Sequence, residues 1–421
     1  MKIVADGNIP FVTKCFSSLG EVKVVEGRQI MPEDIREADI LLVRSVTKVN
    51  ANLLSDSKIR FVGTATIGFD HIDVEYLRAN KIGFASAPGS NANSAAEYVI
   101  AALLEIGQRY FLDLEDRSIG IIGVGNVGSR VAKKAAALGM KVYLNDPPLQ
   151  KYKFNHGGRG EHRELEGALL RIEEFIGSSE FLSIEELFDC DFITLHTPLI
   201  IEGIDKTFHL ADERFFKSLK ERCAFINTSR GGVVDSAALK AAIRSGRLRA
   251  VVLDVWENEP NIDTELLRMV DIGTPHIAGY SLDGKVAGMI MIYKAVCEYF
   301  GLEPEYSIED FLPEPTVRAL RVNPKTGTEQ DVVAGAVQKV YDIRKDDARL
   351  RWILERSGEK KGELFDSLRK NYSVRREFSN TTIVIATENT ENTEFTEDKL
   401  TSKKLLGKLS GIGFKVGNAK S

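Results

Sequence analysis

The stretch SIGIIGVGNVGSR, residues 118–130, decides the fold, because it places three glycines between an apolar run and a helical one. Gly123, Gly125 and Gly128 have the spacing G-x-G-x-x-G. In such a unit the first glycine permits a tight turn, the second lets the backbone approach a pyrophosphate, and the third lets helix and strand pack closely. The stretch predicts a dinucleotide-binding βαβ unit. An ordinary glycine-rich turn between a strand and a helix is the competing interpretation.

The residues that follow support the dinucleotide interpretation. Asn126 and Val127 begin the helix, where backbone amides and a partial positive charge favour phosphate oxygens. Asp146 lies 18 residues beyond Gly128, at the end of the next apolar run, in YLNDPP. A carboxylate there accepts both hydroxyls of the ribose and repels a 2′-phosphate. The sequence therefore predicts that the cofactor is NAD rather than NADP.

Short β-rich runs alternate with helical patterns from the first residue to about residue 280. The first series is Lys2–Ala5, Glu21–Val25, Asp39–Val43, Ile59–Val62 and Ile82–Ala85. The second is Ile119–Gly123, Lys141–Asn145, Asp191–His196, Cys223–Thr228, Ala250–Val255 and Asp271–Thr274. Strands that alternate with helices form parallel sheets. Two series therefore predict two doubly wound parallel sheets rather than one.

The join between the two series is expected near residues 88–94. Ser94 and Glu97 have the spacing of a helix-capping box, and the helix after them, to about Arg109, is apolar almost all round. A helix without a polar face must be buried on every side. We therefore expect it to lie between domains or between subunits.

A third α/β segment follows a helix expected over residues 282–300. Pro304, Pro313 and Pro315 mark a linker. Beyond the linker, residues 317–322 and 381–387 are predicted as strands, and residues 329–343 and 399–409 as helices. The predicted domains are residues 1–92 with 281–308, residues 93–280, and residues 309–421.

Three polar residues follow neighbouring apolar runs of the second series. Arg230 comes after AFINTS, Glu259 after VVLDVWEN, and His276 after DIGTP. Ligands of open parallel sheets bind at the carboxyl ends of the strands, so we expect the three side chains to converge. Arginine holds a carboxylate bidentately, histidine accepts a hydroxyl proton at neutral pH, and Glu259 would orient His276 and stabilise its charged form. Each residue alone is more often structural, but together they match oxidation of a 2-hydroxy acid.

Composition and charge exclude several other classes. The 421 residues are 43% hydrophobic and 28% charged, which is typical of a globular protein. A net charge of −5 gives no global attraction to nucleic acid or anionic lipid. No apolar run approaches the roughly 18 residues of a membrane span, and the first residues, MKIVADGNIP, lack the apolar core of a signal peptide. The four cysteines are far apart without CxxC, so we expect a cytoplasmic protein without disulfides or a metal site.

Five motifs together resemble the D-isomer-specific 2-hydroxyacid dehydrogenases. They are GVGNVG at 123–128, HTP at 196–198, NTSRGGVVD at 227–235, LDVWENEP at 253–260 and TPHIAG at 274–279. Other stretches resemble a subgroup that acts on a phosphorylated 2-hydroxy acid: LLVRSVTKVN at 41–50, FVGTATIGFDHID at 61–73, VDIGTPHIAGYSLDGK at 270–285, VYDIRKDDARLR at 340–351 and LRKNYSVRREFS at 368–379. The resemblance spans nearly the whole chain, and generic relatives lack the C-terminal block.

The resemblance implies a fold, a site and partners. The fold is α/β, with a flavodoxin-like substrate domain, a Rossmann NAD domain and a C-terminal α/β dimerisation domain. Arg230, Glu259 and His276 would be catalytic, with His276 as the acid/base. By resemblance alone, Ser45, Thr66 and Tyr280 would contact substrate, and Thr197, Asp254 and Gly279 would line the NAD site beside Asp146. The protein is expected to be a homodimer whose partner is a small phosphorylated 2-hydroxy acid, with no nucleic acid and no membrane.

The phosphate of such a substrate needs a cation. We hypothesise that a residue of LRKNYSVRR at 368–376, such as Arg369 or Arg375, reaches the substrate of a neighbouring subunit. A solvated basic patch is the competing interpretation. Residues 151–180 are longer than the family pattern, and we expect a surface excursion there that does not affect the chemistry.

Two alternative functions share these features. A sister dehydrogenase acting on 3-phosphoglycerate, glyoxylate or hydroxypyruvate would have the same fold and catalysis, and would differ in its substrate loops and C-terminal block. An NAD-sensing binding protein on the same fold would need no turnover. The joint presence of Arg230, Glu259 and His276 argues against that second alternative.

Overall fold

The structure is a computed structural model that describes residues 1–154, 181–356, 360–386 and 396–417. It divides into two compact units: residues 1–93 with 280–314, and residues 94–279 with 315–421. The division into three domains stays a prediction, because the second unit contains both the second strand series and the C-terminal segment. The expected surface excursion lies, from residue 155 on, outside the described residues.

The strands and helices are numbered in chain order. The strands are β1 Lys2–Asp6, β2 Glu21–Val25, β3 Ile40–Val43, β4 Phe61–Thr64, β5 Gly83–Ala85, β6 Ser118–Ile122, β7 Lys141–Asn145, β8 Phe192–Leu195, β9 Cys223–Asn227, β10 Leu248–Leu253, β11 Ile272–Gly273, β12 Ala319–Val322, β13 Thr382–Ile385 and β14 Lys415–Val416. The helices are α1 Val12–Phe16, α2 Pro32–Ile35, α3 Ala51–Leu54, α4 Val74–Ala79, α5 Ala92–Tyr110, α6 Asn126–Ala137, α7 Pro147–Phe154, α8 Glu213–Ser218, α9 Ser236–Arg244, α10 Thr264–Met269, α11 Leu282–Phe300, α12 Glu329–Val340, α13 Ile343–Arg351, α14 Lys361–Lys370 and α15 Thr396–Ile412.

The first unit is built on a parallel sheet with the order β2-β1-β3-β4-β5. This order is flavodoxin-like, as predicted, and it reverses between β1 and β3, where ligands of such sheets bind. All four residues of β3 are buried, because a sheet covered on both faces selects a continuous apolar run. Helix α11 supplies part of that cover through Tyr293, which packs edge-to-face on Phe16. Ser281 caps its start by accepting the Gly284 amide.

The second unit contains a parallel sheet with the order β11-β10-β9-β8-β6-β7. Phe181 adds one parallel bridge to Leu144 at the outer edge of β7. The chain leaves β6 for β7 on one side and reaches β8 on the other, so the glycine loop after β6 lies at the switch point of a Rossmann sheet. The prediction of two doubly wound parallel sheets is confirmed.

Helix α5 is buried almost throughout, as its apolar sequence predicts. The C-terminal segment of the same chain helps to cover it: the ring of Tyr341 lies 6.3 Å from that of Tyr98, and the Gln330 side chain bonds to the backbone of Leu112 and Leu114 just beyond the helix. Since one chain can bury this helix, its apolar surface does not by itself require a second subunit.

The predicted capping box at the start of this helix is wrong. The helix begins at Ala92, so Ser94 lies inside it rather than at its N-cap. The Ser94 hydroxyl donates to Glu377, and Glu97 accepts the amide of Phe378. The two side chains whose spacing suggested a cap thus bond to a distant segment of the chain instead.

The C-terminal segment forms a small parallel sheet, β12-β13-β14, packed with α12 and α15. Strands β12 and β13 and helices α12 and α15 lie where the sequence predicts them, whereas β14, α13 and α14 were not predicted. Across the described ranges, no helix is both long and apolar enough to span a membrane. Cys15, Cys190, Cys223 and Cys297 are buried and free.

Candidate active site

The three glycines of the loop after β6 have different surroundings. Gly123 has a φ of +86°, and a Cβ there would lie 2.7 Å from the carbonyl carbon of His196. A Cβ at Gly128 would collide with the carbonyl oxygen of Gly123, so helix α6 packs against the loop at a distance that only glycine allows. At Gly125, by contrast, no described atom lies within 4 Å of a built Cβ. The geometry matches the turn, the close packing and the open approach that the sequence assigned to these positions.

Asp146 is fixed against this loop. One of its carboxylate oxygens accepts the amide of Val124 at 2.7 Å, and the other accepts the amide of Leu149 in the first turn of α7 at 2.9 Å. Burial raises the pKa of the carboxyl above its ordinary value, although both amides oppose that shift. The carboxylate is therefore oriented by the backbone, and each oxygen keeps a lone pair that a ribose hydroxyl can use.

The same edge of the sheet holds a polar atom without a partner. The Thr197 hydroxyl, next to the glycine loop, is buried and makes no hydrogen bond within the described part of the chain. An unsatisfied hydroxyl of this kind costs about 1–3 kcal/mol unless a ligand pairs with it. The N-cap of α6 is Gly125, which has no side chain to bond the first turn, and Asn126 and Val127 beyond it lie half-exposed. The open glycine and the orphan hydroxyl fit NAD.

His276 and Glu259 form a direct pair. His276 Nδ1 lies 2.7 Å from one carboxylate oxygen of Glu259, and the other oxygen accepts the backbone amide of Trp256 at 2.9 Å. Burial raises the pKa of Glu259, but the charge and hydrogen bond of His276, the Trp256 amide and the charge of Arg369 together outweigh it, and the net shift is downward. The carboxyl therefore stays ionised beside the imidazole, whose Nε2 is left for proton exchange.

Asp254 holds the loop that carries His276. Its carboxylate accepts the Thr274 hydroxyl at 2.6 Å and the amides of Ile277 and Ala278 at 2.7 and 2.9 Å. Because Thr274 gives its proton to Asp254, the hydroxyl of Tyr98, 2.7 Å away, donates to Thr274. His276 itself has a φ of +56°, an unusual conformation for a residue with a side chain, which these bonds help to maintain. Gly279 directly follows this loop, and cofactor contacts of Asp254 and Gly279 stay predictions.

Arg230 is presented by a turn that Asn227 organises at the end of β9. The Asn227 amide oxygen accepts from the amide and hydroxyl of Ser229, and its nitrogen donates to the Arg230 carbonyl. Arg230 is half-buried, and one guanidinium nitrogen donates to the Ser229 carbonyl at 2.8 Å. A Cβ at Gly231 would overlap the carbonyl of Trp256, so the Arg230 turn lies against the loop that leads to Glu259.

The predicted catalytic residues thus follow three adjacent parallel strands. Arg230 comes after β9, Glu259 after β10 and His276 after β11. A fixed guanidinium can hold a carboxylate, and the carboxylate–imidazole pair can move a proton. The residues that position these groups, such as Asn227 and Tyr98, were not predicted from the sequence. The Asn-x-Ser spacing of an Asx turn could have revealed Asn227, whereas no local signal marks Tyr98.

Of the two arginines proposed for the substrate phosphate, Arg375 lies in the interior of its own chain, and a phosphate contact of either one stays a prediction. Arg375 is 5% exposed, donates to the carbonyls of Ser94 and Ala278 at 2.7 and 2.9 Å, and lies over the ring of Tyr341. Both bonds come from one guanidinium nitrogen, and the burial of the side chain shows that Arg375 is not part of a solvated patch. Arg369 lies close enough to Glu259 for its charge to lower the pKa of that carboxyl.

Two of the three predicted substrate residues of the first unit, Ser45 and Thr66, lie just beyond the carboxyl ends of its strands. Ser45 is exposed just beyond β3, and Tyr280 precedes the N-cap of α11. The Thr66 hydroxyl, beyond β4, donates to the Gly68 carbonyl at 2.9 Å and lies 2.8 Å from the Thr64 hydroxyl. Substrate contacts of all three residues stay predictions.

Comparison with known proteins assigns the class of this fold and site. Residues 104–278 match the sequence model of the D-isomer specific 2-hydroxyacid dehydrogenase NAD binding domain, and residues 311–398 match a domain of unknown function (DUF3410). A D-lactate dehydrogenase from Aquifex aeolicus, solved with NAD and lactic acid, has a TM-score of 0.54 at 24% identity and covers 72% of this chain and 96% of its own. NAD-bound 3-phosphoglycerate dehydrogenase from Entamoeba histolytica has a TM-score of 0.56 at 24% identity, covering 74% and 99%. Fold and NAD domain define an NAD-dependent 2-hydroxyacid dehydrogenase.

Relatives of known function show to which family within this class the chain belongs. An erythronate-4-phosphate dehydrogenase from Escherichia fergusonii is 43% identical over 384 residues, which cover 91% of this chain and 94% of the relative. The enzyme of the same name from Cronobacter sakazakii is 44% identical over 90% of this chain and 93% of its own. The chain belongs to the erythronate-4-phosphate dehydrogenase family.

Proposed function

We propose that the protein oxidises 4-phospho-D-erythronate at C2 to 3-hydroxy-2-oxo-4-phosphooxybutanoate, with NAD as the acceptor, in vitamin B6 synthesis. One observation carries the choice of substrate. The similarity to erythronate-4-phosphate dehydrogenases covers 91% of the chain. The solved D-lactate and 3-phosphoglycerate dehydrogenases cover only 72% and 74%. The longer coverage, together with the separate domain model matched by residues 311–398, supports erythronate 4-phosphate as the substrate.

In the proposed reaction the Arg230 guanidinium holds the substrate carboxylate through paired hydrogen bonds. His276 Nε2 accepts the proton of the C2 hydroxyl, and Glu259 on Nδ1 stabilises the imidazolium that forms. NAD, when bound, accepts the hydride that leaves C2. The released proton passes from His276 to solvent, and in the reverse direction His276 donates it.

The residues of the NAD site have distinct proposed tasks. The amides of Asn126 and Val127 bind phosphate oxygens, Asp146 holds the ribose, and the Thr197 hydroxyl pairs with the cofactor. Asp254 fixes the backbone of residues 277 and 278 and thereby keeps His276 oriented.

A substrate panel tests the proposal. The purified protein is given NAD with 4-phosphoerythronate, erythronate, 3-phosphoglycerate, D-lactate and glycerate, and the absorbance of reduced nicotinamide is followed. We expect the highest kcat/KM with 4-phosphoerythronate. A higher value with another acid would assign a sister activity, and NAD binding without turnover of any acid would favour an NAD-sensing protein.

We also propose a cytoplasmic homodimer. The four buried thiols are all free, which suits a reducing compartment. Sedimentation of the purified protein tests the second point: a species of about twice the 46.7 kDa chain mass supports a dimer, and a species of the chain mass rejects it.

A further inference from the structure

We infer that Arg44 and Lys285, gathered around Tyr280, bind the phosphate group of the substrate. The inference rests on the proposed function for the identity of the substrate. All three residues belong to the first unit, and they lie at the carboxyl end of β3 and in the residues that lead into α11.

Among the residues that the structure describes, Arg44 has no carboxylate partner. Its guanidinium is half-buried, and within the described residues it makes one hydrogen bond, to the Tyr280 hydroxyl at 3.5 Å. That distance lies beyond the 2.7–3.2 Å of a strong bond, so most of its donors are available. A half-buried arginine without a carboxylate partner is the expected state of a side chain whose acceptor comes from a ligand.

Lys285 brings a second positive charge to the same tyrosine. Its ammonium lies 4.5 Å from the centroid of the Tyr280 ring. Arg44 is near the hydroxyl of that ring, so one side chain connects both cations. Asp283 is the acid in the first turn of α11, two residues before Lys285. A phosphate dianion, with three acceptor oxygens, matches two cations and a hydroxyl.

The backbone around Arg44 is fixed before any ligand arrives. The Thr47 amide donates to the Arg44 carbonyl at 3.1 Å, and the Thr47 hydroxyl donates to the Gly27 carbonyl at 2.8 Å. The turn lies beside the point where the sheet order reverses between β1 and β3, which is where open parallel sheets bind ligands. The Asp6 carboxylate at the end of β1 is buried and accepts from Asn8.

The kinetic test compares Arg44→Gln and Lys285→Gln with wild type on 4-phosphoerythronate and on erythronate, which lacks only the phosphate. Each variant should lower the ratio of the two kcat/KM values by roughly tenfold or more, the loss expected for one charge-assisted hydrogen bond. Arg44→Lys should restore part of it. Lys48→Gln removes the same charge from an exposed position in the same loop and should leave the ratio unchanged. A ratio kept within twofold in both variants would overturn the inference.

A binding test separates this inference from the proposed function. Inorganic phosphate, compared with chloride at equal ionic strength, should raise the thermal midpoint of wild type and Lys48→Gln but not of Arg44→Gln. If wild type fails to oxidise 4-phosphoerythronate yet shows this Arg44-dependent shift, the substrate assignment fails and the phosphate site stands. If wild type turns over the substrate and neither measurement depends on Arg44 or Lys285, the phosphate site fails and the proposed function stands.

Discussion

Replacing Glu259 by glutamine should strongly lower kcat for hydroxy acid oxidation without affecting NAD binding. In the structure Glu259 uses one oxygen for the Trp256 amide and the other for His276 Nδ1. A glutamine that keeps the bond to Trp256 turns its NH₂ group towards Nδ1. The imidazole must then accept there and carry its proton on Nε2, the atom that has to receive the substrate proton.

The size of the effect follows from this geometry. Losing a charge-assisted hydrogen bond costs about 1.5–3 kcal/mol, which is roughly 10- to 150-fold in rate. Reversal of the tautomer in a comparable acid–histidine pair costs about 10⁴-fold. We therefore expect kcat for Glu259→Gln to fall by about 10² to 10⁴, with the dissociation constant of NADH, measured by fluorescence titration, within twofold of wild type.

A matched control is available in the same loop. Glu257 pairs with His209 at 2.8 Å and accepts the amide of Ser236, so it is a second half-buried carboxylate–imidazole pair, with no proposed catalytic task. Glu257→Gln should keep kcat within about threefold of wild type. Our account of the pair is refuted if Glu259→Gln retains that level of kcat, or if Glu257→Gln loses as much as Glu259→Gln.

Three further changes have defined outcomes. Gly128→Ala places a Cβ against a backbone carbonyl, which costs roughly 1–3 kcal/mol of overpacking, so the affinity for NADH should fall about tenfold or more. Gly407→Ala, which has open space at its Cβ, should leave that affinity unchanged. Equal affinities of the two variants would contradict the packing argument. Hydrogen bonds from two lysines of α15 lower the pKa of Glu115 to about 2, so the stability that this carboxylate contributes is present above the ordinary carboxyl pKa and is lost as the pH falls towards 2. In urea unfolding at pH 7, Glu115→Gln should therefore lower the free energy of unfolding by about 0.5–1 kcal/mol, the range of exposed pairs, and the difference from wild type should vanish near pH 2. A cost no larger than that of Asp116→Asn would reject this role of Glu115. Arg375→Met removes two buried, charge-assisted hydrogen bonds to the carbonyls of Ser94 and Ala278 and should lower the free energy of unfolding by about 2–5 kcal/mol; an unchanged urea midpoint would contradict its structural role.

The two large sheets could be predicted from sequence because their strands are short apolar runs that local chemistry ends. The run ILLV of β3 is buried on both faces and stops at Arg44. The glycine loop could be predicted equally well, since Gly123 and Gly128 occupy positions where a side chain would collide with backbone. Periodicity and glycine spacing are local properties, and local properties can be read from one sequence.

Long-range contacts could not be read in this way. Arg375 lies in a highly polar stretch that suggests a surface, yet Tyr341, Ser94 and Ala278 bury it. Ser94 and Glu97 have the spacing of a cap but bond to residues more than 280 positions away. In both cases tertiary packing decides which residue is the partner, so the local sequence pattern predicts the wrong environment.

The site could be predicted for the groups that do chemistry and not for those that position them. Arg230, Glu259 and His276 stood out because charged side chains follow apolar strands. Tyr98 did not, because a tyrosine in an apolar helix is indistinguishable from core until its hydroxyl is seen on Thr274.

The central claim is that hydride leaves C2 of the hydroxy acid directly to NAD. The most direct measurement uses 4-phospho-D-erythronate deuterated at C2, with the reduced nicotinamide product analysed by mass spectrometry and NMR. Our account predicts one deuterium per NADH, carried on C4 of the nicotinamide ring, and none in water. Deuterium released to solvent, or oxidation of the acid without deuterated NADH, would contradict it.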